Sequence, residues 1–401
     1  MKNIQFAIVM ALVSLCSVAQ EGIETKYRRN SLYTMMIHDP ARPYADVIRA
    51  SFENGPIPEK FNDHVLGTRV IEATGAKDES ENIAAFLEQN KIARDMVAKW
   101  FNRSESGAFN MELIKSRGSY DASALDIATA NASKRGKDML SDAGEELIGK
   151  TFVLVNDFKY VSKEEVAEKA SGWLKIAGAI GDASGVSNAS LVTDATAAGA
   201  TVAGKGYVVK TTAHLFQLDW NEEVAAIFYN DMWADESTIT PERKRAFDES
   251  TIFKLKYLGS DVSWADVQSS IFTSKTEEQL IEKSTVKAVD AVIVKLQKKH
   301  DQFKTKTPLF TGEPITAKIG MKEGLTEKSV FEVLEQRMTE DGKTQYVVVG
   351  SIKIDKNYPI WDNRYGADEE NPDSTTDRTY FKKVSGKEFY PGMLIVQKKG
   401  K

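Results

Sequence analysis

Cysteine occurs once in the 401 residues, at position 16, and histidine only four times. The single cysteine lies inside a leader: Lys2 is followed by the apolar run Ile4 to Leu15, and Ser17-Val18-Ala19 forms a small-x-small site before Gln20. That pattern reads as a secretory signal peptide over residues 1–19, and the run is too short for a span of ~20 apolar residues. Leu15 is too large for the position before a lipid-modified cysteine, so cleavage after Ala19 is expected. The mature chain would then hold no cysteine, which excludes disulfide staples, thiol catalysis and cysteine metal sites. Such a chain must fold on its hydrophobic core, and its length is ample for that.

Long apolar runs are also missing after the leader, so no transmembrane span is expected once the signal is removed. Nor does charge of one sign prevail. The chain carries 53 basic and 58 acidic residues, a formal net charge of −5, and loss of Lys2 makes it −6. Mild, interspersed acidity disfavours nucleic acid as a partner.

Catalytic signatures are likewise scarce. The stretch GATVAGKG, residues 199–206, places Gly199, Gly204 and Lys205 as a P-loop would. However, Gly206 stands where a hydroxyl should bind magnesium, and a strand-like run follows where a helix should receive the phosphate. It reads as a connector or self-association surface, which allows a homo-oligomer. The pairs His38-Asp39 and Asp63-His64 could bind zinc if they met in space, but neither has the spacing of a zinc protease. His214 alternates with apolar neighbours, and His300 lies among lysines. No catalytic residue, cofactor or metal is assigned.

What is present is a clear change of texture along the chain. After an N-terminal extension, 20–63, that already holds strand-like SLYTMMI and helical PYADVIRASF, residues 64–304 alternate strand and helix patterns. HVLGTRVIEA and FNMELIKSR read as strands, and a capping box at Asp78–Glu81 opens one long helix through Arg103. Helices over 121–140 and up to Gly149, the strand TFVLVNDFKYV, a Gly/Ala-rich insert over 172–206, and the strands YVVKTTAHLFQLDW and IFKLKYLG, with a polar loop between them, follow. A helix from Thr276 to Phe303 closes this α/β domain, with Leu280, Ile281, Ala288, Val289, Val292, Ile293 and Leu296 on one face. Thr305–Pro308 reads as a linker. Residues 307–401 then show the short β segments PITAKIG, SVFEVLEQRM, TQYVVVGSIKID and GMLIVQKK, with a hairpin turn at Glu340–Lys343. The predicted fold class is therefore α/β (α+β): a mixed α/β domain and a small C-terminal β-barrel or β-sandwich domain.

In that second domain the segment Trp361, Asp362, Asn363, Arg364 and Tyr365 is the expected contact site, because aromatic rings beside polar donors suit sugar or peptide recognition. The bland alternative is that Trp361 plugs the core while Arg364 pairs with a neighbouring acid. The acids that follow, from Asp368 to Asp377, lack EF-hand spacing.

In the order and texture of HVLGTRVI, NKIARDMVAKWF, FNMELIKSR, TFVLVNDFKYV, YVVKTTAHLFQLDW and TVKAVDAVIVKLQ, residues 64–303 resemble an α/β domain found in three protein types. These are the curli-secretion-channel lipoproteins, the flagellar T-ring protein and the N-terminal domain of the Tol-Pal propeller protein. KIGMKEGLTEKSVFEVLE followed by VVVGSIKID resembles the C-terminal β domain of the T-ring protein, and the whole is similar to uncharacterised exported proteins of Gram-negative bacteria. The lipid-attachment cysteine and a pore-forming hairpin are missing from the pattern, so channel activity is not carried over. The resemblance implies a periplasmic or outer-membrane-associated scaffold or assembly protein that binds an envelope protein or cell-wall component. The alternative is an extracytoplasmic hydrolase or glycan-binding protein.

Overall fold

A computed structural model describes residues 30–76, 79–121, 146–162, 207–267, 276–338 and 344–398. The leader, the GATVAGKG stretch, the predicted helix over 121–140 except its first residue, and the Glu340–Lys343 turn lie outside the described residues, as does Asp78.

The first domain is built on strand β1 (Ser31–His38), all eight of whose residues are buried. A strand covered on both faces is apolar throughout rather than alternating, and SLYTMMIH reads that way. β1 pairs in parallel with β4 (Thr151–Ser162) on one side. On the other it pairs in parallel with β2 (Asn62–Asp63) at its start and β3 (Val70–Glu72) at its end. β5 (Tyr207–Leu218) and β6 (Leu255–Val267) continue the sheet antiparallel, giving the order β2-β1-β4-β5-β6. HVLGTRVIEA, predicted as one strand, thus holds only the short β3, and β2 ends just before it. The His64 amide still donates to Leu32 at 3.0 Å while its ring turns inward to the Met96 carbonyl at 3.0 Å, and the chain rejoins β1 at Arg69, whose carbonyl accepts from the Met36 amide.

Each face of the sheet is covered. On one, α1 (Ala45–Asn54) and α7 (Glu277–Lys299) pack on Leu32, Met36, Phe152, Leu154 and Leu215. The seven apolar positions predicted to share a face of α7 are all buried. A full capping box starts this helix: Thr276 accepts from the Gln279 amide, and the Gln279 side chain accepts from the Thr276 amide. On the other face lie α2 (Ser80–Gln89), α3 (Ile92–Trp100) and α4 (Glu112–Asp121). The predicted single helix through Arg103 breaks at Asn90–Lys91, where Lys91 takes a left-handed φ of 50°. Apolar spacing runs straight across that step, since Leu87, Ile92 and Ala93 are all buried. FNMELIKSR, predicted as a strand, contains the start of α4. Asn110 accepts a hydrogen bond from the Glu112 amide at 3.1 Å, and Ile114 and Arg117, three apart, go into the core.

The predicted polar loop between β5 and β6 instead carries α5 (Glu222–Ile227), a π turn at Phe228–Met232 and α6 (Pro241–Glu249). Asn221 caps α5, and Thr240 caps α6 with Pro241 in the first turn. These pieces bring Trp220, Phe228, Trp233, Phe247 and Phe253 onto Phe101 and Phe109 in one aromatic cluster.

The second domain is a closed antiparallel barrel of order β10-β11-β8-β7-β12-β9. Its strands are β7 (Thr307–Gly312), β8 (Ile315–Ala317), β9 (Val330–Met338), β10 (Thr344–Ile354), β11 (Thr379–Gly386) and β12 (Leu394–Gln397). Leu309, Ala317, Val333 and Ile352 are fully buried at its centre. Pro308, predicted in a linker, lies in β7 opposite Leu394. β11 was not legible, because only its first residues face the core and KKVSG is exposed.

The two domains touch along α7. Val294, off the sheet-facing stripe, is buried; a side chain at Gly324 of the barrel domain would press into it. Asn30 donates to the Phe303 carbonyl at 3.1 Å, and Phe303 stacks on Phe61 and meets Phe152 edge-on, which anchors the start of the connector on the α/β domain.

Candidate functional site: a lysine-rimmed cleft between the domains

The segment from Trp361 to Tyr365 forms a strap, each of its residues half-buried. The Trp361 amide donates to Thr379 Oγ1 at 3.1 Å, and its carbonyl accepts from the Met321 amide at 2.9 Å. The approach is close enough that a Cβ at Gly320 would overlap that carbonyl. Asn363 accepts from the Lys322 amide at 2.9 Å and donates to Glu323 Oε2 at 3.0 Å. Arg364 grips Asp362 through two bonds of 2.8 and 2.6 Å, and this holds the Asp362 carboxyl below its usual range. Tyr365 reaches Glu282 of α7 at 3.4 Å. The structure therefore brings the five residues together with the Met321–Glu323 turn and α7, with their polar groups engaged within the chain.

The two His/acid pairs do not meet. His64 lies beside Leu32 and His38 ends β1, six residues on, a separation of about 20 Å at ~3.3 Å per residue. Burial, then the Arg117 charge, push the His64 imidazole well below its ordinary pKa, so it is neutral. Its Nε2–H donates to Met96, leaving Nδ1 to accept from Arg117 at 2.9 Å. His38 sits between Asp46 and Glu72, each at 3.2 Å. Among the described residues no three His, Cys, Asp or Glu side chains gather as a metal site.

A concavity lies where sequence reasoning placed nothing. A cleft of about 800 Å³ separates the C-terminal half of α7 from one end of the barrel. Half-buried Val330 and Val396 contribute apolar wall over the buried Val294, Leu325, Phe331 and Ile395, and Lys60, Lys298, Lys304, Lys328 and Lys398 line it. A hollow of about 130 Å³, lined also by Lys150 and Lys306, adjoins it through Lys60, Lys304 and Thr305. Seven lysines thus face one valley of a chain whose net charge is −5.

At the cleft wall, Lys60 Nζ lies 3.2 Å from Glu323 Oε1. Burial pushes the Lys60 ammonium down while Glu323 opposes that shift. Glu323 also accepts from the Gly320 amide at 2.6 Å, so the turn that receives the strap also positions this acid. Behind it Asp290 of α7 faces Lys322 at 3.9 Å, and burial raises its carboxyl to about 7 against the pull of Lys322. Around the rim, Lys304 pairs with Asp301 at 2.7 Å and Lys398 with Glu332 at 3.5 Å. Lys298 and Lys328 are exposed and form no ion pair among the described residues.

These lysines come from five separated stretches of chain. The only local hint was KKHDQFKTK, which supplies Lys298, Lys304 and Lys306 but reads as the basic end of a helix. Chemically, the valley offers mobile ammonium groups above an apolar wall, which suits holding an anionic, partly apolar molecule. No protein-family model matches the chain, and a search of curated proteins finds no match to it.

Proposed function

We propose that this chain is an exported, non-catalytic envelope protein that captures a partner in the cleft between its α/β domain and its barrel. One observation carries the reading: a cavity of about 800 Å³ lies between the domains and concentrates lysines on an otherwise acidic chain. Clefts at domain junctions are favoured binding places, and lysines lend electrostatic steering without demanding a fixed geometry. The leader pattern supports export to the periplasm. The resemblance in element order to the curli-channel, T-ring and Tol-Pal proteins supports a scaffold or assembly role. Among the described residues no helix is long and apolar enough to cross a membrane.

Two measurements test this. The protein recovered from an envelope fraction is expected to begin at Gln20, as read by N-terminal mass spectrometry; an intact leader or an acylated Cys16 would overturn the export scheme. A photo-crosslinking side chain at Lys328 is expected to trap a partner in living cells, whereas one at exposed Lys353 on the barrel wall should not. Equal labelling from both positions, or none from Lys328, would remove the cleft from the proposal.

A further inference from the structure

We propose that the occupant of the cleft is an extended peptide segment of a partner protein in which acidic and apolar side chains are interspersed. The inference rests on the binding role proposed above and names its chemistry. The first argument is charge. Lys298 and Lys328 stand on opposite walls, one on α7 and one on the barrel, and both are exposed without an ion pair among the described residues. The nearest carboxylates in the valley, Glu323 and Asp301, are already held by Lys60 and Lys304. A carboxylate entering from outside therefore meets unneutralised cations on both sides.

The second argument is the type of cation. Every basic residue lining the two hollows is a lysine. Arginine would present a planar fork matched to one carboxylate or phosphate in fixed geometry, whereas lysine is a point charge on a flexible stem. Lysines spread over the rim fit several carboxylates along a chain better than one bound anion. The third argument is the wall. Val330 and Val396, both half-buried, line the cleft and offer it apolar surface, and an acidic glycan or a phosphate chain has no side chains to place there. A peptide of acidic and apolar residues supplies both kinds of contact at once.

The test uses the mature chain, residues 20–401, and a fluorescein-labelled twelve-residue peptide of alternating Glu and Leu, read by anisotropy. Polyphosphate and vesicles rich in phosphatidylglycerol form parallel arms. K298E combined with K328E is expected to weaken peptide binding at least tenfold, and salt should weaken binding of the unaltered protein. K353E combined with K383E makes the same charge change at exposed barrel positions outside the cleft and should alter binding less than twofold. Equal weakening by both pairs would reduce the effect to net charge and overturn the proposal. So would cleft-dependent binding of polyphosphate or vesicles without binding of the peptide. If the peptide fails to bind while the Lys328 crosslink in cells persists, the peptide chemistry falls and the binding role stands. Loss of both would end the two together.

Discussion

Phe228→Ala is expected to lower the stability of the α/β domain by about 4 kcal/mol, within the range for deleting a fully buried phenylalanine. Phe228 has no exposed surface, and its ring centre lies 4.5 Å from that of Phe101, 5.2 Å from Phe109 and 5.3 Å from Tyr229. Trp220, Trp233, Phe247 and Phe253 complete the shell at 5.7 to 6.3 Å. Alanine would therefore leave a cavity bounded by rigid rings attached to several elements, and such walls cannot collapse without moving α5, α6 and the end of α3 together. Removing the ring also forfeits its edge-to-face contacts, each of ~1 kcal/mol beyond area burial. Urea unfolding followed by tryptophan emission would report the change, since Trp220 and Trp233 lie in the cluster. Because a chain of two domains need not unfold in one step, the transition of this cluster must be resolved from that of the barrel. A midpoint shift worth under about 1 kcal/mol would mean that the cluster is not a packed core.

The second large effect is a dependence on pH centred on Asp290. Its carboxyl is raised from 3.8 to about 7, chiefly by burial, with Glu323 and Glu59 reinforcing the shift and Lys322 opposing it. Because the folded value lies above the unfolded one, the folded state binds the extra proton. The Asp290 contribution to stability is then greatest below about pH 4, declines as the pH rises, and levels off above about 7. At ~1.36 kcal/mol per pKa unit, the loss across that window is about 4 kcal/mol. Asp290→Asn removes this titration, so between about pH 4 and 7 the stability of the variant should gain on that of the parent, and at pH 8 the variant should be the more stable. Its thermal midpoint at pH 8 should rise by roughly 10 °C, at ~2–4 °C per kcal/mol for a chain of this class. Parallel decline of parent and variant between pH 5 and 8, or a carboxyl resonance titrating near 4, would contradict the assignment.

Legibility in the sequence followed how local the physics was. α7 was read correctly because one helix face meets one sheet, and the spacing of Ile281, Ala288, Val292 and Leu296 records that contact directly. β1 and β4 were equally plain as continuous apolar runs. The errors came where one residue or a distant contact decides the matter. Lys91 breaks a helix without disturbing its apolar rhythm, and the Asn110 cap makes a helix of a segment whose alternation favours a strand. The span between β5 and β6 seemed a loop because its aromatics bury against Phe101 and Phe109, more than a hundred positions earlier. The cleft was illegible for the same reason. Lys60, Lys298 and Lys328 acquire meaning only once α7 has been laid between sheet and barrel. The strap from Trp361 to Tyr365 was visible as a distinctive cluster; Arg364 pairs with a neighbouring acid, Asp362, as the blander reading had it, but half-buried Trp361 does not plug the barrel core as that reading also had it.

The parallel pairing of β1 with β4 also sets a timetable. Ser31 lies opposite Thr151, 120 positions later (151 − 31), so the most deeply buried strand of the first domain is made long before its partner. β4, β5 and β6 can zip together as neighbours, and every strand of the barrel lies between residues 307 and 397. Closing the loop from β1 is an entropic cost that precedes any reward from the sheet. During synthesis, SLYTMMIH would wait with only β2 and β3 to pair with and its β4 edge open, a segment on which a holding chaperone would act.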